Sequence, residues 1–214
     1  MMKITKFVHA CVLVEDEQNG NILFDPGTYS WSSGLIEFSK LPKINFVIIS
    51  HKHPDHFNED FTRAIIEQNS ECQWIVPSDL IENIQNLGAK NVKSNPINNI
   101  EVIEGEHANV EPFGVQVKNI TTHTFGKITH PGDTHSINNS KDLLLMPFQA
   151  PWGTTISAIG IVQKLKPKFV LPIHDWMWND TWREICYDRF QSIFNETDTN
   201  FLRPTDGQPI EIDL

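Results

Sequence analysis

Three histidines and an aspartate fall within six positions at His51-Lys52-His53-Pro54-Asp55-His56, directly after the apolar run Phe46-Val47-Ile48-Ile49. Imidazole and carboxylate are ligands for zinc, iron or manganese. In an extended segment alternate side chains share a face, so His51, His53 and Asp55 start on one side. Pro54 fixes its own backbone angle and turns the chain, which lets Asp55 and His56 address a second position. Two such neighbouring pairs can serve two ions a few Å apart. A lone histidine is more often structural, but H-x-H-x-D-H points to metal.

The elements that must position these side chains follow from pattern. Lys3 to Glu15 alternates and is rich in β-branched residues, so it reads as one strand. Gln18-Asn19-Gly20-Asn21 is turn chemistry, and Ile22 to Phe24 is a second strand that should pair with the first as a hairpin, ending in Asp25-Pro26-Gly27. Phe46 to Ser50 is a short buried strand. Asn58 can cap a helix from Glu59 to about Asn69, with acidic residues in its first turn. A strand at Gln73 to Val76 and a helix from Ser78 to Leu87, stopped by Gly88, come next. Ile100 to Phe148 is mostly β, Ser157 to Leu165 is a helix ended before Pro167, and Phe169 to Ile173 is another buried strand. Four apolar runs end in ligand-type residues, at His51, His107, Asp133 and His174. Loops at strand ends are where functional groups gather, so one common site is expected. The likeness of INFVIISH to PKFVLPIH hints at two halves built alike.

The totals narrow the function. With 214 residues, no Gly/Ser linker and no low-complexity segment, the chain reads as one domain, residues 1–214. Its formal net charge of −10 argues against a general nucleic-acid binder, which needs basic surface. No apolar stretch approaches the roughly 18 residues of a membrane span. The apolar run near the N-terminus is short, contains His9 and ends in Glu15-Asp16-Glu17, so it reads as a strand rather than an export signal, and the cytoplasm is the expected location. Cys11, Cys72 and Cys186 are odd in number and scattered, which suits reduced thiols better than a disulfide framework.

His51 to His56 resembles the signature of the metallo-β-lactamase superfamily of metal-dependent hydrolases. Asp25-Pro26-Gly27 resembles the turn upstream of that signature, His130-Pro131-Gly132-Asp133 the turn that supplies a bridging carboxylate, and Pro172-Ile173-His174-Asp175 the late histidine turn. With HACVLVE at the start and Ala150-Pro151-Trp152, the chain is most similar to the small bacterial branch containing ascorbate-6-phosphate lactonase-like proteins. The resemblance implies an α+β fold, a four-layer αββα sandwich with a dinuclear site at one edge. It implies that His51 and His53 bind the first metal with a third histidine, that Asp55, His56 and His174 bind the second, and that Asp133 bridges both. The third histidine is His107 or His123. His107-Ala108 resembles the relatives, and the 26 positions to Asp133 leave room for a hairpin, which favours His107.

The expected cofactors are two divalent ions, zinc first, with manganese or iron also compatible. Two cations lower the pKa of a bridging water from about 15.7 toward neutrality, giving a hydroxide that attacks a carbonyl or phosphoryl centre. Asp55 is the natural group to orient that nucleophile and accept its proton. Asp25 either holds a ligand imidazole in its binding tautomer or is a plain turn residue. His130 and His135 flank the Asp133 turn and are candidates for substrate contact or for a local structural role; His9 reads as a core histidine in a strand, while the resemblance places this segment near the mouth of the site. The tryptophans at 152, 176, 178 and 182 line a pocket, or else belong to the core or an interface.

The expected activity is metal-dependent hydrolysis of a small-molecule ester, lactone or phosphodiester, with no nucleic-acid or membrane partner and self-association left open. The rivals are a non-catalytic metal-binding module of the same fold and an acyl-homoserine lactone lactonase. Substrate cannot be taken from the fold, because function lives in the pocket.

Overall fold

A computed structural model describes residues 1–214. In chain order, the first half supplies β1 (Met2–Lys6), β2 (Val12–Asp16), β3 (Ile22–Phe24), the short α1 (Thr28–Ser32), β4 (Phe46–Ile48), α2 (Glu59–Gln68), β5 (Gln73–Ile75), α3 (Ile81–Asn86) and β6 (Asn91–Lys93). The second half supplies β7 (Ile100–Glu106), β8 (Lys118–Thr124), β9 (Ile128–His130), β10 (Leu143–Pro147), α4 (Thr155–Leu165), β11 (Phe169–Ile173), α5 (Asp180–Phe194), β12 (Asn200–Phe201) and β13 (Pro209–Ile212). One sheet runs β13-β1-β2-β3-β4-β5-β6, and the other β12-β11-β10-β9-β8-β7.

The period of two along each strand decides the layers. Phe46 and Ile48 of β4, with Leu143 and Leu145 of β10, point into one cluster shared by both sheets. Val47 and Ile49 point the other way, onto Phe61 and Ile65 of α2 and Ile84 of α3. Leu144 and Met146 likewise face Ala158 and Val162 of α4 and Tyr187, Phe190 and Phe194 of α5. Two sheets face to face with helices outside make the αββα sandwich. Strands buried on both faces read as continuous apolar runs for the same reason.

The helices start where capping chemistry puts them. The side chains of Asn58, Thr154 and Asn179 accept from the backbone N–H groups of Phe61, Ser157 and Trp182. α4 ends at Lys166 in the left-handed conformation, one residue before Pro167. No helix is long and apolar enough to cross a membrane.

Three expectations need correction. The single strand over Lys3–Glu15 is two strands, β1 and β2, paired antiparallel with each other, and it is β2 that makes the hairpin with β3. The break at 7–11 places His9 in a turn with φ of 61°, a conformation no strand tolerates. The helix over Ser78–Leu87 begins as a 3-10 turn, Ser78–Leu80, before α3. Residues 180–194, beyond the last expected strand, form the 15-residue α5.

Candidate metal centre

Every residue of the expected cluster follows the end of a strand. The His51–His56 segment connects β4 to α2, His107 follows β7, Asp133 follows β9, and His174 follows β11. Backbone hydrogen bonds tie these ends together: Ile120 N to the Ser50 carbonyl (2.9 Å) and His174 N to the His9 carbonyl (3.1 Å) between the sheets, and Ala108 N to the Asp133 carbonyl (2.9 Å) within the second.

His51, His53 and His107 form a tripod. Their ring centroids are 4.7–4.8 Å apart and the planes cross at 69–89°, so each ring turns an edge toward the others. A second group, His9, Asp55, His56 and His174, offers ligand atoms all within 4.8 Å of one another. Asp133 lies between the groups. Its Oδ2 is 3.3 Å from His107 Nε2 and 3.0 Å from His174 Nε2, and its Oδ1 is 3.3 Å from His56 Nε2.

The ring nitrogens facing away from the cluster show what those facing it can do. His51 Nδ1 meets Ser50 Oγ (2.9 Å), His56 Nδ1 meets Asp25 Oδ2 (2.7 Å), His107 Nδ1 meets the Ala108 carbonyl (2.6 Å), His53 Nε2 meets the Val115 carbonyl (2.8 Å), and His174 Nδ1 meets the Gln149 carbonyl. A carbonyl, carboxylate or hydroxyl oxygen accepts from the N–H, which makes the other nitrogen of that ring the one presented to the cluster, where a bound cation would take its lone pair. Meanwhile His51 Nε2, His56 Nε2 and Asp133 Oδ1 are buried without a hydrogen-bond partner. Buried polar atoms are rarely left so. Two ligands on one tetrahedral zinc at about 2.1 Å would be about 3.4 Å apart, close to the separations here. The donor set fits divalent cations.

The supporting residues explain the flanking motifs. Asp25 is fully buried; its carboxylate accepts from Ser50 N (2.7 Å) and Ser50 Oγ (2.9 Å) as well as from His56. His130 Nε2 is 3.1 Å from the same carboxylate, and its ring stacks on Phe24 behind the site. His135 bonds Ser157 Oγ and the Pro147 carbonyl and packs edge-on against Trp152. Neither His130 nor His135 is among the residues that line the cleft. His123 sits within β8, bonded to Thr129 Oγ1, about 13 Å along the strand from Asn119; the geometry brings His107 to the cluster and leaves His123 outside it. Gly27 has no room for a side chain, since a Cβ there would lie 1.7 Å from the Asp55 carbonyl oxygen. At Gly132, φ is 65° and a Cβ would meet Asn119 Oδ1 at 2.1 Å, the same oxygen that accepts from Asp133 N.

Two residues carry more than the sequence indicated. His9 is buried but in a turn rather than a strand, and it stands at the site, where the resemblance places its segment: its Nε2 is 3.1 Å from Asp55 Oδ2. Trp152 donates its indole N–H to Asp133 Oδ2 (3.2 Å). No spacing rule marks either; His9, Asp25 and His174 share the positive φ that recurs at functional sites.

The charges are balanced within the cluster. Burial would raise the carboxyls of Asp133 and Asp55, but the neighbouring imidazoles, His174 and His56 foremost, hold both below the usual range. Burial would lower His56, yet Asp133, Asp25 and Asp55 push it up to about 10. His9, buried beside His174, falls to about 4. Above the cluster opens a cleft of about 650 Å³.

Residues 3–174 match the family described as the Beta-lactamase superfamily domain. The chain is 27% identical over 210 residues to Protein Rv0786c of Mycobacterium tuberculosis, covering 94% of this chain and 95% of that one. Among solved structures it is similar to a Veillonella parvula protein proposed to be a metal-dependent hydrolase (TM-score 0.71, 16% identity, 99% of this chain and 100% of that one). It is also similar to Igni18, a metallo hydrolase of Ignicoccus hospitalis (TM-score 0.64, 17% identity, 99% of each chain). The sandwich, the strand-end cluster and the extent of this match assign the chain to the metallo-β-lactamase superfamily of metal-dependent hydrolases.

Proposed function

We propose that the chain is a hydrolase of a small-molecule ester, lactone or phosphodiester, working with two divalent ions, zinc first. His51, His53 and His107 would hold one ion, Asp55, His56 and His174 the other, and Asp133 would reach both. The observation that carries this reading is the convergence of three buried, unpartnered ligand atoms, His51 Nε2, His56 Nε2 and Asp133 Oδ1, beneath an open cleft. A purely structural ion would have every position filled by protein and no cleft above it. The buried, unpaired Cys11, Cys72 and Cys186 support a reducing compartment such as the cytoplasm.

The ions, when bound, supply acidified water and a Lewis acid for the developing oxyanion. The chain's own residues do the rest. The five outward ring contacts fix the tautomers, so no histidine has to reorient on loading. Asp55, on the cleft wall and held ionised, accepts the proton of the attacking water. Water oxygen ends on the acyl or phosphoryl centre, the bond to the leaving oxygen breaks, and that oxygen takes up one proton while the other is released to solvent. Trp152, on Asp133 Oδ2, keeps one carboxylate oxygen oriented.

The test is metal content by plasma mass spectrometry for wild type and His53→Ala, purified without chelator, followed by a screen of esters, lactones and phosphodiesters with the metal found. Close to two ions, falling in the variant, together with turnover that chelator abolishes, supports the reading. Retained metal without turnover of any class would leave a binding module, and no metal uptake at all would sink it.

A further inference from the structure

The cleft walls carry an inference that rests on the hydrolase reading and narrows it. Tyr29, Val110, Phe113, Val115, Trp152 and Met177 form those walls, and no Lys or Arg lines the cleft. The cations nearest in sequence are turned to partners outside it: Lys52 to Asp79 (3.2 Å) and Lys118 to Glu106. Phosphate groups are recognised by Arg and Lys with charge-assisted hydrogen bonds, so a phosphate remote from the reacting centre would find no counter-charge here. It would also approach a chain of net charge −10.

The apolar walls are held open by construction. Phe113 is 81% exposed, Val115 73% and Met177 60%, and all three face the same cleft. The loop that carries Phe113 and Val115 is fastened to the cluster itself. His53 Nε2–H donates to the Val115 carbonyl (2.8 Å), Gln116 Nε2 donates to the His107 carbonyl (2.5 Å), and Ala108 N donates to the Asp133 carbonyl (2.9 Å). These side chains are thus registered to the metal-facing atoms rather than left loose on the surface. Contiguous exposed apolar surface in a concave site marks a place that binds.

We propose that the substrate is an ester or lactone whose non-reacting part is an uncharged apolar chain or ring, lodged between the 110–115 loop, Trp152 and Met177, and that phosphorylated sugars and nucleotides are excluded. Removing apolar surface from water gives about a fourfold gain per buried CH₂. Across the four methylenes separating butanoyl from octanoyl esters, kcat/KM should rise at least tenfold.

The experiment uses the full zinc-loaded chain with 4-nitrophenyl butanoate and octanoate, an alkyl δ-lactone, a phosphorylated sugar lactone of the same ring size, and bis(4-nitrophenyl) phosphate. Octanamide and acetamide binding are followed by calorimetry with and without zinc. The expected result is a tenfold or greater preference for octanoyl over butanoyl, the alkyl lactone ahead of its phosphorylated counterpart, and measurable octanamide binding. Phe113→Ser combined with Met177→Ser should flatten the chain-length dependence and weaken octanamide at least fivefold. Flat or inverted chain-length dependence, or faster turnover of the phosphorylated lactone or the phosphodiester, overturns the inference while leaving the hydrolase intact. No turnover of any probe, with octanamide still bound and lost in the variant, sinks the hydrolase and keeps the apolar cleft. No turnover and no octanamide binding sinks both.

Discussion

His9 Nε2 lies 3.1 Å from Asp55 Oδ2, yet His9 Nδ1 is buried with no partner. The five other histidines of the cluster each anchor the ring nitrogen that faces away. A ligating imidazole almost always donates its second N–H, and an unpartnered buried N–H is rarer than an unpartnered acceptor. His9 therefore carries its proton on Nε2 and donates to Asp55, positioning that carboxylate rather than binding metal. His9→Leu should keep its metal content and lose about 10- to 100-fold in kcat. His9→Gln, which still offers an N–H, should recover part of that loss. Metal analysis and kinetics on the same samples decide: loss of one ion in His9→Leu would make His9 a ligand.

Asp25 holds Ser50 and His56 in one buried carboxylate. Burial would raise it, but His130 and His56 keep it ionised. Asp25→Asn halves its capacity to accept and removes the charge that orients His56. Outer partners of ligating histidines typically contribute 10- to 100-fold to metal affinity. The weaker of two zinc affinities, measured by competition with a chromogenic chelator, should fall within that range while the other changes less. Equal weakening of both would mean that Asp25 serves the fold of the whole loop instead.

The chain's own letters gave away the cluster because strand-end spacing is local: His51, His53, Asp55 and His56 lie in one turn, and Asp133 and His174 each close an apolar run. The resemblance and the 26 positions to Asp133 already favour His107 over His123, and the registry of β7 with β8, which pairs Glu101 with His123, carries the His123 ring away from the site. The turn at His9 is hidden because alternation continues through Lys3–Glu15 on paper; only the pairing of β1 with β2 shows the fold-back. Nor could pattern reveal Lys6, a charged residue whose burial depends on Asp175 and Asp206 from the far end of the chain. α5 was legible but missed, since Asn179 caps it and Tyr187, Phe190 and Phe194 keep helical spacing.

Metal uptake should release protons. In the absence of metal, Asp133, Asp25 and Asp55 outweigh burial and hold the His56 pKa up to about 10, so the ring is charged at neutral pH. A ligand imidazole must be neutral at the donating nitrogen. Zinc binding at that position therefore displaces about one proton at pH 7, and apparent affinity rises up to tenfold per pH unit until His56 is neutral without metal. Titration calorimetry in buffers of different ionisation enthalpy measures this directly. A pH-independent affinity between 6 and 8 would show that His56 is already neutral or does not bind.

Beneath the site, Lys6 Nζ is fully buried, 2.9 Å from both Asp175 Oδ1 and Asp206 Oδ1, and Tyr187 OH donates to Asp175 Oδ2. The contact with Asp175 is an ion pair by distance rather than by hydrogen-bond direction, since its Oδ1 takes no well-angled donor. Removing one partner of a buried pair leaves an uncompensated charge and costs about 3–5 kcal/mol, a large part of the roughly 5–15 kcal/mol that stabilises a domain. Lys6→Met should lower the urea midpoint of the chelator-treated protein accordingly, and adding Asp175→Asn should restore about 1–3 kcal/mol. The pH dependence has a definite sign. Burial would raise Asp175, but Lys6 and Tyr187 hold it below its ordinary value, so its contribution is present above the usual carboxylate range and is lost as pH falls through the lowered value. The acid limb of stability against pH should therefore be shallower in the double variant than in wild type. A Lys6→Met protein within about 1 kcal/mol of wild type would mean that Asp175 and Asp206 are compensated without Lys6; the turn that carries His174 would then be held by β11 and its neighbours alone.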